Sequence, residues 1–168
     1  KPCTIKVTSG TQNQSLPTEI AAGPITVAIV HYGTTPNLIS PNNPALTVNA
    51  GNRVYMNRIS ITDAGNPAIE CTGGALWLDN QRINNTGTAL HALDCEVHVR
   101  RTILFGHSSG ALDIQGMEAG KAKLWVENSY ITSMNSNVFG AIRLIGSAEA
   151  DLLYTTIALV KSAVPPIE

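Results

Sequence analysis

The feature that most constrains this chain is a short recurring unit: Ala-Leu or Ala-Ile, then one polar and one apolar residue. It occurs as Ala45-Leu46-Thr47-Val48 and Ala68-Ile69-Glu70-Cys71. It returns as Ala89-Leu90-His91-Ala92, Ala111-Leu112-Asp113-Ile114 and Ala141-Ile142-Arg143-Leu144. The alanines are separated by 23, 21, 22 and 30 residues. A near-constant period of this size on short alternating segments is the signature of a solenoid.

Two further strand-like columns complete each repeat. One is Val54-Tyr55-Met56, matched by Leu76-Trp77-Leu78, Val97-His98-Val99, Leu124-Trp125-Val126 and Leu152-Leu153-Tyr154. The other carries Ile59-Ser60-Ile61, Ile83, Ile103-Leu104-Phe105, Ile131-Thr132-Ser133 and Ile157-Ala158-Leu159. All alternate with period 2, as a strand with one buried face does. Gly, Asn, Asp and Ser fill the gaps, as in Thr72-Gly73-Gly74 and His107-Ser108-Ser109-Gly110. Three short strands per coil, with no helix-period segment between them, predict a right-handed parallel β-helix of about five regular coils. An antiparallel sandwich explains the alternation but not the match from column to column.

Residues 45–160 are assigned to the coils. Residues 1–44 read as an irregular first coil and cap, and 161–168 as a C-terminal tail. Within the first segment, Thr4 to Val7 and Ile25 to Val30 read as strands, Pro17 to Ala22 as one helical turn, and Gly33 to Pro44 as turn material. Solenoids need atypical ends to cover the open core. The long fourth step holds two insertions, near Met117 to Lys123 and near Asn135 to Gly140. The ends at Lys1 and Glu168 read as the bounds of a piece of something longer.

The segment Asn128-Ser129-Tyr130-Ile131-Thr132, followed by Gly140-Ala141-Ile142-Arg143-Leu144, resembles the repeat of right-handed β-helix proteins of the pectate-lyase type. The resemblance covers roughly residues 45–160. It implies the fold but no single activity, because that superfamily includes lyases, glycoside hydrolases, phage tailspikes and non-catalytic surface modules.

Stacked rungs lie about 4.8 Å apart, so each outward column becomes a tight row. The outward column of the first strand reads Thr47, Glu70, His91, Asp113, Arg143. Two carboxylates, an imidazole and a guanidinium could serve acid/base work on a sugar, with Arg143 holding a uronate carboxylate. The resemblance implies a site of this kind on the outer face of one sheet. The same row is also explained as a charge ladder that avoids like-charge neighbours. The outward column of the second strand reads Tyr55, Trp77, His98, Trp125, Leu153, and it contains both tryptophans of the chain. Such a row offers flat faces to sugars or an apolar patch to a protein; alternatively, a loop buries it.

Local motifs add less. Gly106-His107-Ser108 with Arg143, and Leu93-Asp94-Cys95, resemble parts of the β-helical polygalacturonase motifs, but with one Asp where that family has two and incomplete His and Arg patterns. Ser108 and Ser109 beside His107 lack the spacing of a nucleophile and its base. Thr72-Gly73-Gly74 precedes no helix and is a turn, not a phosphate cradle. No metal site is assigned, although Asp94, Glu96 and Asp113 could contribute to a Ca²⁺ site.

The three cysteines leave at least one unpaired in a single chain. Cys71 falls at an inward position, and Cys95 three columns later in the next repeat, an unfavourable placement for a bridge. Both are read as buried thiols. A net charge of −1 and 14% charged residues give no electrostatic footprint for nucleic acid. No apolar run approaches the roughly 18 to 20 residues that span a bilayer. The expected protein is therefore a secreted or surface-exposed β-helix module that binds a polysaccharide or a protein. It carries Tyr55, Trp77, His98 and Trp125 as its ligand row and is without catalysis of its own. The alternatives are a polysaccharide lyase or glycoside hydrolase using Glu70, His91, Asp113 and Arg143, and a structural spacer that self-assembles through the aromatic row.

Overall fold

The computed structural model describes residues 2–7, 11–13, 18–32, 37–39, 44–62, 66–85, 87–106, 110–118, 121–133 and 140–159. Among them are twenty strands and no helix. The chain begins with β1 (Cys3–Val7), β2 (Thr11–Asn13) and β3 (Thr18–Ile20), then β4 (Thr26–His31), β5 (Asn37–Ile39) and β6 (Leu46–Val48). The next two coils hold β7 (Arg53–Asn57), β8 (Ser60–Thr62) and β9 (Ile69–Thr72), then β10 (Ala75–Asp79), β11 (Arg82–Asn84) and β12 (Leu90–Leu93). They are followed by β13 (Glu96–Arg100), β14 (Ile103–Gly106) and β15 (Leu112–Gly116), then β16 (Lys123–Glu127), β17 (Tyr130–Ser133) and β18 (Ile142–Gly146). The last strands are β19 (Glu149–Leu153) and β20 (Thr156–Leu159).

Every third strand joins the same sheet, always in parallel. Sheet A holds seven strands in the order β1-β4-β7-β10-β13-β16-β19. Sheet B holds seven, from β2 to β20, and sheet C six, from β3 to β18. The chain is thus a parallel β-solenoid with three strands per coil. Antiparallel pairing, which a sandwich needs, occurs nowhere in the described sheets.

The period sets the core. In sheet C, Leu46, Ile69, Leu90 and Leu112 stand in one column and Val48, Cys71, Ala92 and Ile114 in the next, all buried. Sheet A contributes Val54, Leu76, Val97 and Leu124, and sheet B Ile61, Ile83, Leu104 and Ile131. A ladder of identical shape buries each side chain against the one above and below, worth roughly 1.5–3 kcal/mol per aliphatic residue.

The recurring alanine has a steric cause. Ala45, Ala68, Ala89, Ala111 and Ala141 sit at the corner where sheet B passes into sheet C, and all are buried. Their backbones stack through bonds such as Ala45 N–H to Ala68 O at 2.7 Å and Ala111 N–H to Ala141 O at 2.9 Å. A larger side chain at this corner would overpack the tube.

The corner from sheet A to sheet B uses a different device. Arg58, Asn80, Arg101, Asn128 and Tyr154 all have φ between 48° and 58°, the left-handed region. Each turns the chain, and the next residue points inward. Three of those next residues, Gln81, Thr102 and Ser129, are buried and polar, and they form a ladder that begins at the amide of buried Ile59. The Ile59 amide donates to Gln81 Oε1 at 3.1 Å, the Gln81 amide to Thr102 Oγ1 at 3.3 Å, and the Thr102 amide to Ser129 Oγ at 3.1 Å. Amides that the corner would otherwise strand inside the tube are satisfied this way.

The segment before Ala45 joins the same sheets. The expected strand at Thr4–Val7 falls within β1, and the one at Ile25–Val30 overlaps β4 from Thr26 on; the two pair in register from Cys3 with Val27 to Val7 with His31. The helical turn expected at Pro17 to Ala22 is not formed there. Thr18, Glu19 and Ile20 instead pair with Leu46, Thr47 and Val48. Tertiary pairing overrides local preference, aided by Asn52 Nδ2 donating to the carbonyls of Ile20 and Ala21. Gly33–Pro44, expected as turn, contains β5. The insertion at 135–139, the whole of the tail at 161–168, and His107, Ser108 and Ser109 lie outside the described residues.

Two further expectations are corrected. Cys71 and Cys95 form a disulfide, with their Cα atoms 6.2 Å apart. Counting columns along a straight strand misplaced Cys95. Asp94, at φ 50°, folds the chain around the corner from sheet C to sheet A, so Cys95 points back inside over the rung of Cys71. The second correction concerns register. Trp125 pairs with Asp151, and Leu153 pairs with Glu127. The aromatic column therefore ends in Asp151, not Leu153.

Candidate functional site

Sheet A carries the more unusual face. Tyr55, Trp77, His98 and Trp125 occupy one outward column of β7, β10, β13 and β16. Parallel rungs hold the rings at nearly the spacing of π-stacks. The centroids of Tyr55 and Trp77 lie 4.4 Å apart with the planes 13° from parallel. Trp77 and His98 are 5.1 Å apart at 9°, and His98 and Trp125 are 4.4 Å apart at 10°. One continuous four-ring stack runs along the solenoid. Among the described residues no loop covers the row: Tyr55 is 39% exposed and the other three rings are partly exposed.

This geometry decides what the rings can offer. Trp77 and His98 are sandwiched, so both of their faces are taken and only their edges reach solvent. Trp125 is different. His98 covers one face, but the rung beyond supplies Asp151 and no ring. A depression of about 490 Å³ opens there, lined by His98, Trp125, Val126, Glu127, Asp151, Leu152 and Leu153. Lys123 Nζ lies 6.0 Å from the Trp125 centroid, at the limit of cation–π reach.

A polar row flanks the rings two residues further along each strand. It reads Asn57, Asp79, Arg100 and Glu127 and ends in the apolar Leu153. Asp79 accepts from Asn57 Nδ2 at 3.1 Å and from Arg101 Nε at 2.8 Å. Hydrogen bonding to Asp79 raises the pKa of the Arg101 guanidinium above its already high ordinary value. Arg100 Nε lies 3.5 Å from a Glu127 oxygen. Rings and charges together line a second depression of about 310 Å³. On the other side of the rings, Glu96 Oε1 is 2.8 Å from His98 Nε2. Sequence reading missed Asp79, Arg100, Glu127 and Asp151, although the first three recur two residues after each ring.

The second row lies on sheet C. Register places Glu70, His91, Asp113 and Arg143 side by side on β9, β12, β15 and β18, after Thr47 on β6. The structure thus brings all four together. His91 Nδ1 is 3.9 Å from Glu70 Oε1, and His91 Nε2 is 4.0 Å from Asp113 Oδ2. Both distances are too long for hydrogen bonds. Arg143 Nε is 3.5 Å from Asp113 Oδ1, and Gln115 Nε2 donates to Asp113 Oδ2 at 3.1 Å. Both Asp113 oxygens are turned to protein groups, and Oδ1 is closed off from solvent. A general base needs an oxygen within reach of its substrate. The open depression beside the row is about 250 Å³ and is lined by Asn66, Pro67, Thr88, His91, Asp113 and Arg143. The row has the form of a cross-rung charge ladder.

Among the described residues no group of three or more His, Cys, Asp or Glu side chains is placed to hold a metal ion. Asp94, considered for calcium, instead accepts from the backbone amides of Met117 and Glu118 at 2.8 and 3.1 Å, which fixes the turn of the next coil.

The chain matches no known protein family, no curated protein and no solved structure.

Proposed function

We propose that this chain is a non-catalytic β-solenoid module that binds a glycan along the outer face of sheet A, anchored at Trp125. One observation carries the reading. Trp125 ends the stack with no ring on its far side, as Tyr55 does at the other end beside Ala28, and the Trp125 side opens into a depression edged by the Glu127 and Asp151 carboxylates. An aromatic face provides an apolar platform for a sugar ring, and neighbouring carboxylates accept hydrogen bonds from hydroxyls. The buried Cys71–Cys95 bridge supports a secreted or surface location, since disulfides persist in oxidising compartments.

A glycan array with the wild-type chain and Trp125→Ala tests this, followed by titration of tryptophan fluorescence with any hit. Binding by wild type and its loss in Trp125→Ala is the expected result. An array with no ligand, or equal binding by both chains, overturns it. A protein partner is the second reading. It is favoured by the edge-on rings beside Asp79, Arg100 and Glu127, because Tyr, Trp and Arg are enriched in protein interfaces.

A further inference from the structure

We infer that the outer face of sheet B carries a second binding site, for an acidic saccharide held through a carboxylate or sulfate group. The distribution of charge points there. From β8 to β20 the strands of sheet B contain no Asp or Glu. The outward rows of sheets A and C, by contrast, hold Asp79, Glu127, Glu70 and Asp113. On sheet B, in the middle coils, a depression of about 560 Å³ opens beside Arg82 and Arg101. Among the described residues that line it there are two guanidiniums and no carboxylate.

The two arginines play different parts. Arg82 is exposed on β11, with its guanidinium carbon 5.8 Å from the centroid of the Phe105 ring on the next rung. Among the described residues no carboxylate lies within ion-pair distance of it. A guanidinium over a ring keeps its N–H donors in its own plane, where an oxyanion can meet them two at a time. Arg101 sits at the corner between sheets A and B, and its Nε and Nη2 both donate to Asp79. Asp79 lines the depression on the sheet-A side of that corner and not this one. Arg101 is thus held in place before a ligand arrives, and it contributes a fixed donor rather than net charge. The rest of the lining is neutral. Ser60, Thr62, Asn80 and Asn84 bring hydroxyls and amides, which both donate and accept, and Ile103, 38% exposed, adds apolar surface. Such groups match sugar hydroxyls around one charged substituent. A partner dense in negative charge would meet a single guanidinium that lacks a carboxylate.

The site is independent of the one at Trp125, and calorimetric titration separates them. The probes are an oligogalacturonate for the carboxylate, a heparin oligosaccharide for the sulfate, a neutral malto-oligosaccharide and polyglutamate. Wild type should bind at least one of the two acidic saccharides, more weakly as NaCl is raised. Arg82→Gln should weaken that binding about tenfold or more. Arg82→Lys, which keeps the charge but not the fork, should fall between the two. Trp125→Ala should bind the acidic saccharide like wild type. The malto-oligosaccharide should show no loss in Arg82→Gln, and polyglutamate should bind more weakly than the acidic saccharide. Arg82 is exposed, and circular dichroism checks that its variants fold. Failure of both acidic saccharides to bind overturns the inference, as does equal binding by wild type and Arg82→Gln. Binding lost in Trp125→Ala but kept in Arg82→Gln would move the ligand to sheet A, which overturns this site and leaves the reading of the ring stack intact. Polyglutamate that binds as tightly would mean that charge alone is read, and would overturn the saccharide.

Discussion

Removing the middle of the ring stack should destabilise this chain more than removing its end. Trp77 stacks on Tyr55 at 4.4 Å and on His98 at 5.1 Å, so Trp77→Ala abolishes two ring contacts. Trp125 stacks on His98 alone, with Lys123 at the edge of cation–π range. A stacked pair contributes about 0.5–1.5 kcal/mol beyond its buried area. The central substitution should thus cost about 1–3 kcal/mol from stacking, and the terminal one about half of that. For a domain of this size 1 kcal/mol corresponds to roughly 2–4 °C in melting temperature. Trp77→Ala should therefore melt about 1–6 °C below Trp125→Ala once similar area losses cancel. Trp77→Phe, which keeps a ring in the column, should recover much of the difference. Thermal and urea unfolding of the three variants make the comparison. If Trp125→Ala proved as destabilising as Trp77→Ala, the rings would not act as a stack.

Other perturbations probe the rest of the structure. Thr102→Val keeps shape but strips the buried Gln81 amide of its acceptor, and it should cost about 1–3 kcal/mol in urea unfolding. Replacing Cys71 and Cys95 together by Ala opens a loop that spans 24 residues and should cost roughly 3 kcal/mol; an unchanged unfolding midpoint in oxidising buffer would deny the bridge. Ala111→Leu, at the fully buried corner between sheets B and C, should overpack the tube by about 1–3 kcal/mol, whereas the same change at exposed Ala50 should be nearly silent. Assays for reducing ends and unsaturated products on uronate polymers, with and without Ca²⁺, should show no turnover. Activity that Asp113→Ala abolishes would make the sheet-C row catalytic and overturn the ladder reading.

The sequence made the solenoid legible because a period-2 pattern repeated at nearly constant spacing has one compact solution. The inward columns Leu46 to Leu112 and Val48 to Ile114 follow directly from it. So do the grouping of Tyr55, Trp77, His98 and Trp125 and the adjacency of Glu70, His91, Asp113 and Arg143. Corners were less legible. A single left-handed residue such as Asp94 redirects the chain, and linear counting then misplaces Cys95. The slip at Leu153 has a different origin. A shift of two residues preserves which side chains face inward, so alternation alone cannot distinguish the two registers. The depression beyond Trp125 was hidden for the same reason, since it exists only because Asp151, and not a ring or Leu153, follows in the column.

The central claim is that residues twenty to thirty apart in sequence become vertical neighbours, and ring-to-ring nuclear Overhauser contacts report this directly. The account predicts contacts from Tyr55 to Trp77, from Trp77 to His98 and from His98 to Trp125, in keeping with centroid separations of 4.4, 5.1 and 4.4 Å, and none from Tyr55 to Trp125. Rings without mutual contacts, or a direct contact between Tyr55 and Trp125, would contradict it.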